Sequence, residues 1–376
     1  MTLSREKAKA RHASEPRRRA RAVLWIAVAS GALIATLPSA ASGSAPRGED
    51  FEQALPAAQP VAERAADGHV DEGPVTHRTS AIDAPRTFDL AGLAGEMRAY
   101  ELRGRTTGGA WTDWAETGNG DPVWFGGMDQ LQVRTRGYRP SGSIHYVDVR
   151  GSGPVGAAAR GGDGNIPELI TRRQWGANGD GGCKPRRRAS YGKVKAASVH
   201  HTVSAVDYPE SAGPGMVLSI CRFHRNSNGW DDIGYNALVD RFGNIYAGRD
   251  GGLGRAVIGA HAQGFNAQTT GVAVLGTHTS QRVSKAAMSG LARWLAWKLP
   301  EHGLDTTGKA RMTSAGGASS RYPAGTRIST SRIIGHRRTG LTECPGDALY
   351  KQLGNLRAKV QRRINGGGGT GGVEPR

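Results

Sequence analysis

The sequence predicts an α/β protein with a mixed central β-sheet and flanking helices, preceded by a small all-β domain. Between about residues 86 and 150, short runs of alternating apolar and polar residues are separated by Gly, Pro, Asn and Asp turns. From residue 166 onward, strand-like apolar runs alternate with segments whose apolar residues recur at helical spacing. Such alternation is typical of a sheet covered by helices.

The first 45 residues have the order of a secretory signal peptide. A basic segment ends at Arg21, an apolar run spans residues 22–37, and small residues follow from Ser39 to Ala45. A membrane anchor is the alternative, but this run of 16 residues is short for a span of about 20. We therefore expect cleavage and export, with no stable membrane insertion afterwards. Residues 46–84, rich in Ala, Pro, Gly and Glu, are predicted to form a disordered linker.

The chain is strongly basic, with a formal net charge of +18 from 50 basic and 32 acidic residues. Eight of the basic and two of the acidic residues lie in the first 45 positions, which leaves +12 for the rest. Such a charge favours anionic partners: nucleic acid, a membrane surface or cell-wall polymers. Nucleic acid has little support, because interleaved aromatic and basic motifs are absent from the sequence. For an exported protein the cell wall is the simplest location, although a solvated basic surface would have the same composition.

Residues 85–150 are predicted to form the accessory β domain, with strands at 98–103, 131–134 and 144–149. Trp111, Trp114 and Trp124 are predicted to build its core, and a sugar-stacking platform is the alternative. The Gly- and Ala-rich residues 151–165 read as a second linker.

Residues 166–365 are predicted to form the main domain, and residues 366–376 a disordered tail. The expected elements, in order, are a helical turn at 170–176, a strand at 195–201, a helix around 216–224, strands at 233–239, 244–246 and 271–276, and helices at 284–302 and 347–364. Residues 305–327 are too polar for a core and are predicted to form a surface hairpin or loop.

The stretch GHRRTGLTECPG at residues 335–346 places two metal-binding side chains, His336 and Cys344, on one loop. Its Gly and Pro residues allow the loop to double back. Three protein ligands with one open position are the pattern of catalytic zinc. A third ligand is available at the end of a predicted strand, where His200 and His201 are adjacent. Because neighbouring strand residues point to opposite faces, only one of this pair can join the site.

Five motifs in order carry a resemblance to a known family: VHHT, GWDDIGYNALVD, GNIYAGRDGG, GAHAQGFN and GHRRTGLTECPGD. Together they resemble the peptidoglycan recognition protein and type 2 N-acetylmuramoyl-L-alanine amidase family, over about residues 166–364. The signal peptide and the β domain are similar, more loosely, to the layout of secreted actinobacterial members.

The resemblance implies the amidase fold and a zinc ion held by His200, His336 and Cys344. Tyr235 falls at the catalytic tyrosine, and Thr342 falls where other members carry lysine or threonine. The implied reaction is hydrolysis of the amide between N-acetylmuramic acid and L-alanine in peptidoglycan, by a monomer. A non-catalytic peptidoglycan-binding module of the same fold is the alternative, although such modules usually lack the cysteine. Taken alone, Tyr235 could be a core residue and Thr342 a turn residue.

Three further polar residues are candidates for contacting substrate. His261 and Asn266 either line the substrate groove or stabilise their own loop. Arg249 either binds stem-peptide carboxylates or forms a structural salt bridge.

The remaining two cysteines are predicted to form a disulfide. Cys221 lies on a predicted helix and Cys183 lies in a Gly-rich loop, so the bond would tie loop to helix. A second metal site is the alternative, and it lacks enough local partners.

Overall fold

The computed structural model describes residues 50–63, 75–117, 120–149, 166–179 and 181–367. The predicted signal peptide, the 151–165 linker and nearly all of the predicted tail lie outside the described residues. Within these ranges, no helix combines the length and the apolar character needed to cross a bilayer.

The N-terminal part is an antiparallel β domain. Its strands are β1 (Asp50–Ala54), β2 (Gln59–Glu63), β3 (Val75–Arg78), β4 (Ile82–Leu93), β5 (Tyr100–Arg105), β6 (Ala115–Thr117), β7 (Val123–Arg136) and β8 (Ser143–Val147). The sheet runs in the order β1-β8-β4-β7-β3-β2, and β5 pairs with β6 and β7. Apolar side chains on one face, including Phe88, Leu102 and Val133, form its core, as the alternating pattern predicts.

The predicted disordered linker over residues 46–84 is wrong where it includes strands β1, β2 and β3 and the beginning of β4. Strand β1 pairs with β8, and the ring of Phe51 stacks on Tyr146 at 4.8 Å. Strand β3 pairs with β7. These strands contain few apolar residues, so the composition of their segment is typical of a linker. Their order comes from pairing with strands far away in the sequence.

Of the three tryptophans predicted to build the core of the β domain, only Trp124 is buried, and it packs in the cluster around the main-domain residues 216–223 instead. Trp111 and Trp114 are partly exposed and lie in the loop between β5 and β6. The guanidinium of Arg103 stacks at 4.9 Å from the Trp111 ring and 4.5 Å from the Trp114 ring. Arginines on the neighbouring strands thus cover these rings through cation–π contacts, a partnership that sequence spacing does not reveal.

The main domain contains a five-stranded mixed sheet in the order β11-β10-β12-β9-β15. Its strands are β9 (Ala196–His201), β10 (Ala237–Val239), β11 (Ile245–Ala247), β12 (Thr269–Val274) and β15 (Ile333–Gly335). Only the β10–β11 pair is antiparallel. A hairpin of β13 (Lys309–Thr313) and β14 (Arg327–Ser331) lies apart from this sheet.

Helices cover both faces of the mixed sheet. Helix α1 (Gly213–Asn226) contributes to one core cluster, and α2 (Lys285–Lys298) and α3 (Asp347–Gly367) contribute to another. Ser284 caps α2 by accepting a hydrogen bond from the Ala287 backbone N–H, as preferred at helix starts. The predicted mixed sheet with flanking helices is therefore confirmed.

The strand predicted over residues 233–239 is confined to Ala237–Val239. Asn236 explains the difference, because its side-chain amide donates to the Val257 carbonyl at 3.0 Å and accepts from the Gly271 N–H at 2.8 Å. Tyr235, which directly precedes Asn236, belongs to the site described below.

The two domains share a core. Leu90, Trp124 and Val147 of the β domain belong to the same buried cluster as Phe223 of α1. A salt bridge of 2.6 Å joins Asp50 to Arg222 at the edge of this contact. The β domain therefore packs directly on α1.

Candidate metal and active site

The three predicted metal ligands meet at one edge of the mixed sheet. His200 lies near the end of β9, and His336 directly follows the neighbouring parallel strand β15. Parallel strands bring their carboxyl ends to the same edge. The loop after His336 doubles back, since the Arg337 N–H donates to the Cys344 carbonyl at 2.7 Å. One ligand atom from each of the three side chains lies within 4.8 Å of the others.

The chemistry of this donor set fits a zinc ion. Sγ of Cys344 lies 3.7 Å from Nδ1 of His200, and Nδ1 of His336 is buried without a hydrogen-bond partner among the described residues. Burial lowers the pKa of His336 to about 4 and the pKa of His200 well below its usual value. Both imidazoles are thus neutral, the form that ligates metal. Two imidazoles and one sulfur leave a fourth position of tetrahedral zinc open.

The Cys344 thiol requires a cation to become a thiolate. Burial raises its pKa above the ordinary thiol value, because a buried thiolate without a counter-charge is unfavourable. A coordinated metal deprotonates a thiol outright. The free cysteine of the chain is therefore placed where metal binding would give it a function.

The structure distinguishes the two adjacent histidines. Nδ1 of His201 accepts a hydrogen bond of 3.1 Å from the His278 backbone N–H. His201 is not among the three side chains whose ligand atoms meet, as strand alternation predicts. His200 is the member that faces the other two ligands.

Tyr235 and Thr342 both adjoin the three ligands. The Tyr235 ring centroid lies 5.2 Å from that of His200, and burial raises the pKa of its hydroxyl well above the usual value. The phenol is therefore neutral and can donate a hydrogen bond. Oγ1 of Thr342 accepts from the Cys344 backbone N–H at 3.1 Å, so its observed contact holds the ligand loop.

The other predicted substrate residues are divided between two places. His261 Nδ1 lies 3.1 Å from Nε2 of His200, so its first contact is with a ligand. Asn266 accepts from the backbone N–H groups of His261 and Ala262 and thereby stabilises the loop. His261 and Asn266 also border a cavity of about 140 Å³ beside Tyr235 and His336. Arg249 lies in a different cavity of about 210 Å³, with Arg187 and Asp231.

Residues 190–347 match the N-acetylmuramoyl-L-alanine amidase family, Amidase_2. Over these residues the main domain is similar to that family, and we call it the amidase domain below.

Similar proteins include animal relatives of two kinds. Peptidoglycan-recognition protein SC2 of Drosophila simulans is 29% identical over 185 residues, covering 49% of this chain and 84% of that protein. The N-acetylmuramoyl-L-alanine amidase of Mus musculus is 32% identical over 192 residues, covering 50% of this chain but only 30% of that protein. Among solved structures, peptidoglycan recognition protein-LE in complex with tracheal cytotoxin is 25% identical with a TM-score of 0.39, covering 50% of this chain and 92% of that one.

The amidase domain also contains the predicted disulfide. Cys183 and Cys221 are bonded and tie the loop before β9 to helix α1. Asp232 lies close enough to complete a metal-like group with them. Because both sulfurs are consumed by the disulfide, the alternative of a second metal site is not supported.

Two residues at the amidase site were missed by sequence reasoning. Asp121 belongs to the β domain, yet its Oδ1 accepts a hydrogen bond from the Tyr235 hydroxyl at 2.7 Å and lies 3.2 Å from Nε2 of His224. In the sequence, Asp121 reads only as part of a Gly-rich turn before Pro122, and His224 reads as one position of an amphipathic helix. Because the contact joins two domains, no local spacing could have indicated it.

Proposed function

We propose that this protein is a secreted, zinc-dependent N-acetylmuramoyl-L-alanine amidase. It hydrolyses the amide between N-acetylmuramic acid and L-alanine of peptidoglycan. The observation that carries the proposal is the meeting of His200, His336 and Cys344 within 4.8 Å, beside a neutral Tyr235, in a domain similar to the amidase family.

The side chains at the site have separable tasks in this reaction. When bound, zinc would supply Lewis acidity and a water acidified towards neutral pH. The Tyr235 hydroxyl donates a hydrogen bond to the amide oxygen as negative charge develops there. His261 orients His200 through its ring nitrogen. Thr342 fixes the backbone that presents Cys344.

The alternative is a peptidoglycan-binding module without activity. The similar proteins carry both kinds of name, recognition protein and amidase. The complete ligand set with Tyr235 favours the enzyme, since a binding surface has no need of a buried thiol beside two neutral imidazoles. In either case the partner is peptidoglycan or a muropeptide, and the basic charge of the chain also favours anionic polymers of the cell wall.

The test is the release of a free L-alanine amino terminus from muropeptides by the purified, zinc-loaded protein. We expect release that stops with a chelator and returns when zinc is added. If no free L-alanine amino terminus appears at any zinc concentration while the protein still sediments with cell walls, the binding module is favoured.

A ligand variant tests the metal site directly. Cys344→Ser should lose both bound zinc and activity, because a serine hydroxyl is a poor zinc ligand. The matched control replaces the other two sulfurs, in a Cys183→Ser, Cys221→Ser variant, and should keep zinc near one equivalent. Zinc retained by Cys344→Ser would contradict the ligand set.

A further inference from the structure

The carboxylate of Asp121, a residue of the β domain, contacts two hydrogen-bond donors of the amidase domain. Its Oδ1 receives the Tyr235 hydroxyl at 2.7 Å and faces Nε2 of His224 at 3.2 Å. The Gly234 N–H donates to Nδ1 of His224, so the proton of this imidazole is on Nε2 and points at Asp121. His224 is fully buried and stacks on Trp230 at 4.6 Å. Two buried donors thus converge on one carboxylate oxygen.

The backbone at Asp121 is held on both sides. The Asn228 side chain of the amidase domain donates to the Gly120 carbonyl at 2.6 Å. The Thr117 hydroxyl of the β domain donates to the carbonyl of Asp121 itself. The shared core and the Asp50–Arg222 salt bridge fix the rest of the domain on α1. The position of Asp121 is therefore specified by contacts from both domains.

Asp121 also divides the space around the three ligands. On one side, Asp121 and Thr117 border a cavity of about 40 Å³ beside Cys344 and Thr342. On the other side, Asp121 and Met97 border the cavity of about 140 Å³ beside Tyr235 and His336. Pockets for drug-sized ligands enclose roughly 300–1,000 Å³. A muropeptide that extends across both cavities therefore has to displace the Asp121 carboxylate between them.

The hydrogen bond has a chemical consequence for the proposed reaction. A phenol has one proton, so Tyr235 cannot donate to Asp121 and to the developing oxyanion at the same time. We propose that Asp121 is an intramolecular pseudo-substrate of the amidase site. Its carboxylate oxygen stands in for the oxyanion, and the muramoyl peptide must displace it before hydrolysis. This inference deepens the proposed function and rests on it.

Binding can be measured without hydrolysis in the full chain carrying Cys344→Ser, with zinc omitted. The probe is N-acetylmuramoyl-L-alanyl-D-isoglutamine, and the readout is calorimetric Kd. Adding Asp121→Ala should tighten Kd at least about tenfold, because the ligand no longer has to displace a charge-assisted hydrogen bond. Asp113→Ala removes an exposed carboxylate from the same domain and should leave Kd unchanged. Asp121→Asn keeps the side-chain shape and is therefore the control for misfolding. Its Kd should lie between that of the Cys344→Ser parent and that of Asp121→Ala.

Activity distinguishes displacement from a direct catalytic role. In the zinc-loaded chain, Asp121→Ala should raise kcat/KM, mainly through a lower KM. A fall in kcat of about 100-fold or more with unchanged Kd would show that Asp121 is a general base. If neither Kd nor kcat/KM changed, the Asp121–Tyr235 hydrogen bond would be only a structural contact. Either outcome overturns the proposal. If no variant produces a free L-alanine amino terminus while Kd still shifts, the proposed amidase activity fails but the pseudo-substrate contact stands.

Discussion

Two buried tyrosines of the amidase domain differ in the hydrogen-bond partner of the hydroxyl, and the partner distinguishes a structural role from a chemical one. The Tyr246 hydroxyl donates to Asp240 at 2.8 Å within the turn that follows β10, and nothing in this contact faces the three ligands. The Tyr235 hydroxyl donates to Asp121 beside the ligands. Both residues look alike in the sequence, as aromatic positions near short strands. Only the partner of each hydroxyl assigns its task.

Removal of these hydroxyls should therefore have different effects. In the Asp121→Ala background, Tyr235→Phe should lower kcat by about 10²–10³-fold, because one oxyanion donor is lost, with little change in KM. Tyr246→Phe should instead leave kcat unchanged and lower the free energy of unfolding by about 1–3 kcal/mol, since Asp240 loses a buried donor. Steady-state kinetics and urea unfolding measure the two quantities. A kcat for Tyr235→Phe within threefold of its parent would exclude an oxyanion role.

The histidines around the site predict how the metal-free protein responds to pH. Burial lowers the pKa of His336 to about 4, and of His201 and His261 to about 3. The unfolded chain binds these protons near pH 6.5, so the stability is complete above that pH and is lost as pH falls towards the folded values. His145 has the opposite sign: burial disfavours its charge, but hydrogen bonds to Asp50 and Glu52 outweigh burial and raise its pKa.

We expect urea unfolding of the metal-free protein to show a lower free energy at pH 5 than at pH 7.5. The loss should be about 2 kcal/mol for each of the three histidines, at ~1.4 kcal/mol per pH unit. The zinc-saturated protein, measured in parallel, should be more stable at pH 7.5 by mass action. Equal stability of the metal-free protein at both pH values would show that these imidazoles are not held neutral.

At the scale of elements, helix α1 has two attachments besides the sheet it covers. Cys221 ties it to the loop at Cys183, and Arg222, one residue later, pairs with Asp50 of the β domain. Successive residues of a helix point in directions about 100° apart, so adjacent positions contact different neighbours of α1. The helix also supplies His224, which contacts Asp121. The disulfide therefore anchors the element on which both the β domain and the site depend.

Reduction of the disulfide should destabilise the protein without removing its zinc. The bond closes a loop with a sequence separation of 38, for which chain entropy gives about 4 kcal/mol. Cys183→Ala, Cys221→Ala should lower the free energy of unfolding by about 2–4 kcal/mol, measured with urea, while atomic absorption still finds one zinc. A loss of zinc in step with the loss of stability would mean that α1 also supports the ligand geometry.

Some elements of the fold can be predicted from local sequence pattern, and others cannot. Helices α1 and α3 are long and periodic, and strands β9 and β12 are short segments buried along their whole length. Local pattern predicts both kinds of element. The meeting of the three candidate ligands is predictable because His336 and Cys344 share a loop and the motifs around His200 resemble a family. Strand β1 and the contact of the Asp121 carboxylate are not predictable, because the partners, β8 and Tyr235, are distant in the sequence.

At the scale of the whole molecule, the β domain and the amidase domain are joined by a common core. Leu90 and Trp124 belong to the cluster that also contains Phe223 and Tyr235. Val203, which follows β9, belongs in turn to the core of the β domain. A Cβ added at Gly92 would lie 2.5 Å from the Phe223 ring, so the backbone of β4 approaches α1 closely. An interface of this kind favours unfolding as one unit.

Truncation of Leu90 tests this cooperativity. Leu90 is fully buried and lies on β4 of the β domain, but it packs in the core around α1. Leu90→Ala should cost about 2–5 kcal/mol and lower the Tm of a single calorimetric transition by roughly 5–10 °C. Leu349→Ala, a buried leucine of α3 on the other side of the mixed sheet, is the matched control. It should shift the same transition by a similar amount, because one cooperative unit has one Tm. Two separate transitions, with only one moved by each variant, would instead establish that the domains fold independently and that Asp121 is delivered to Tyr235 by docking alone.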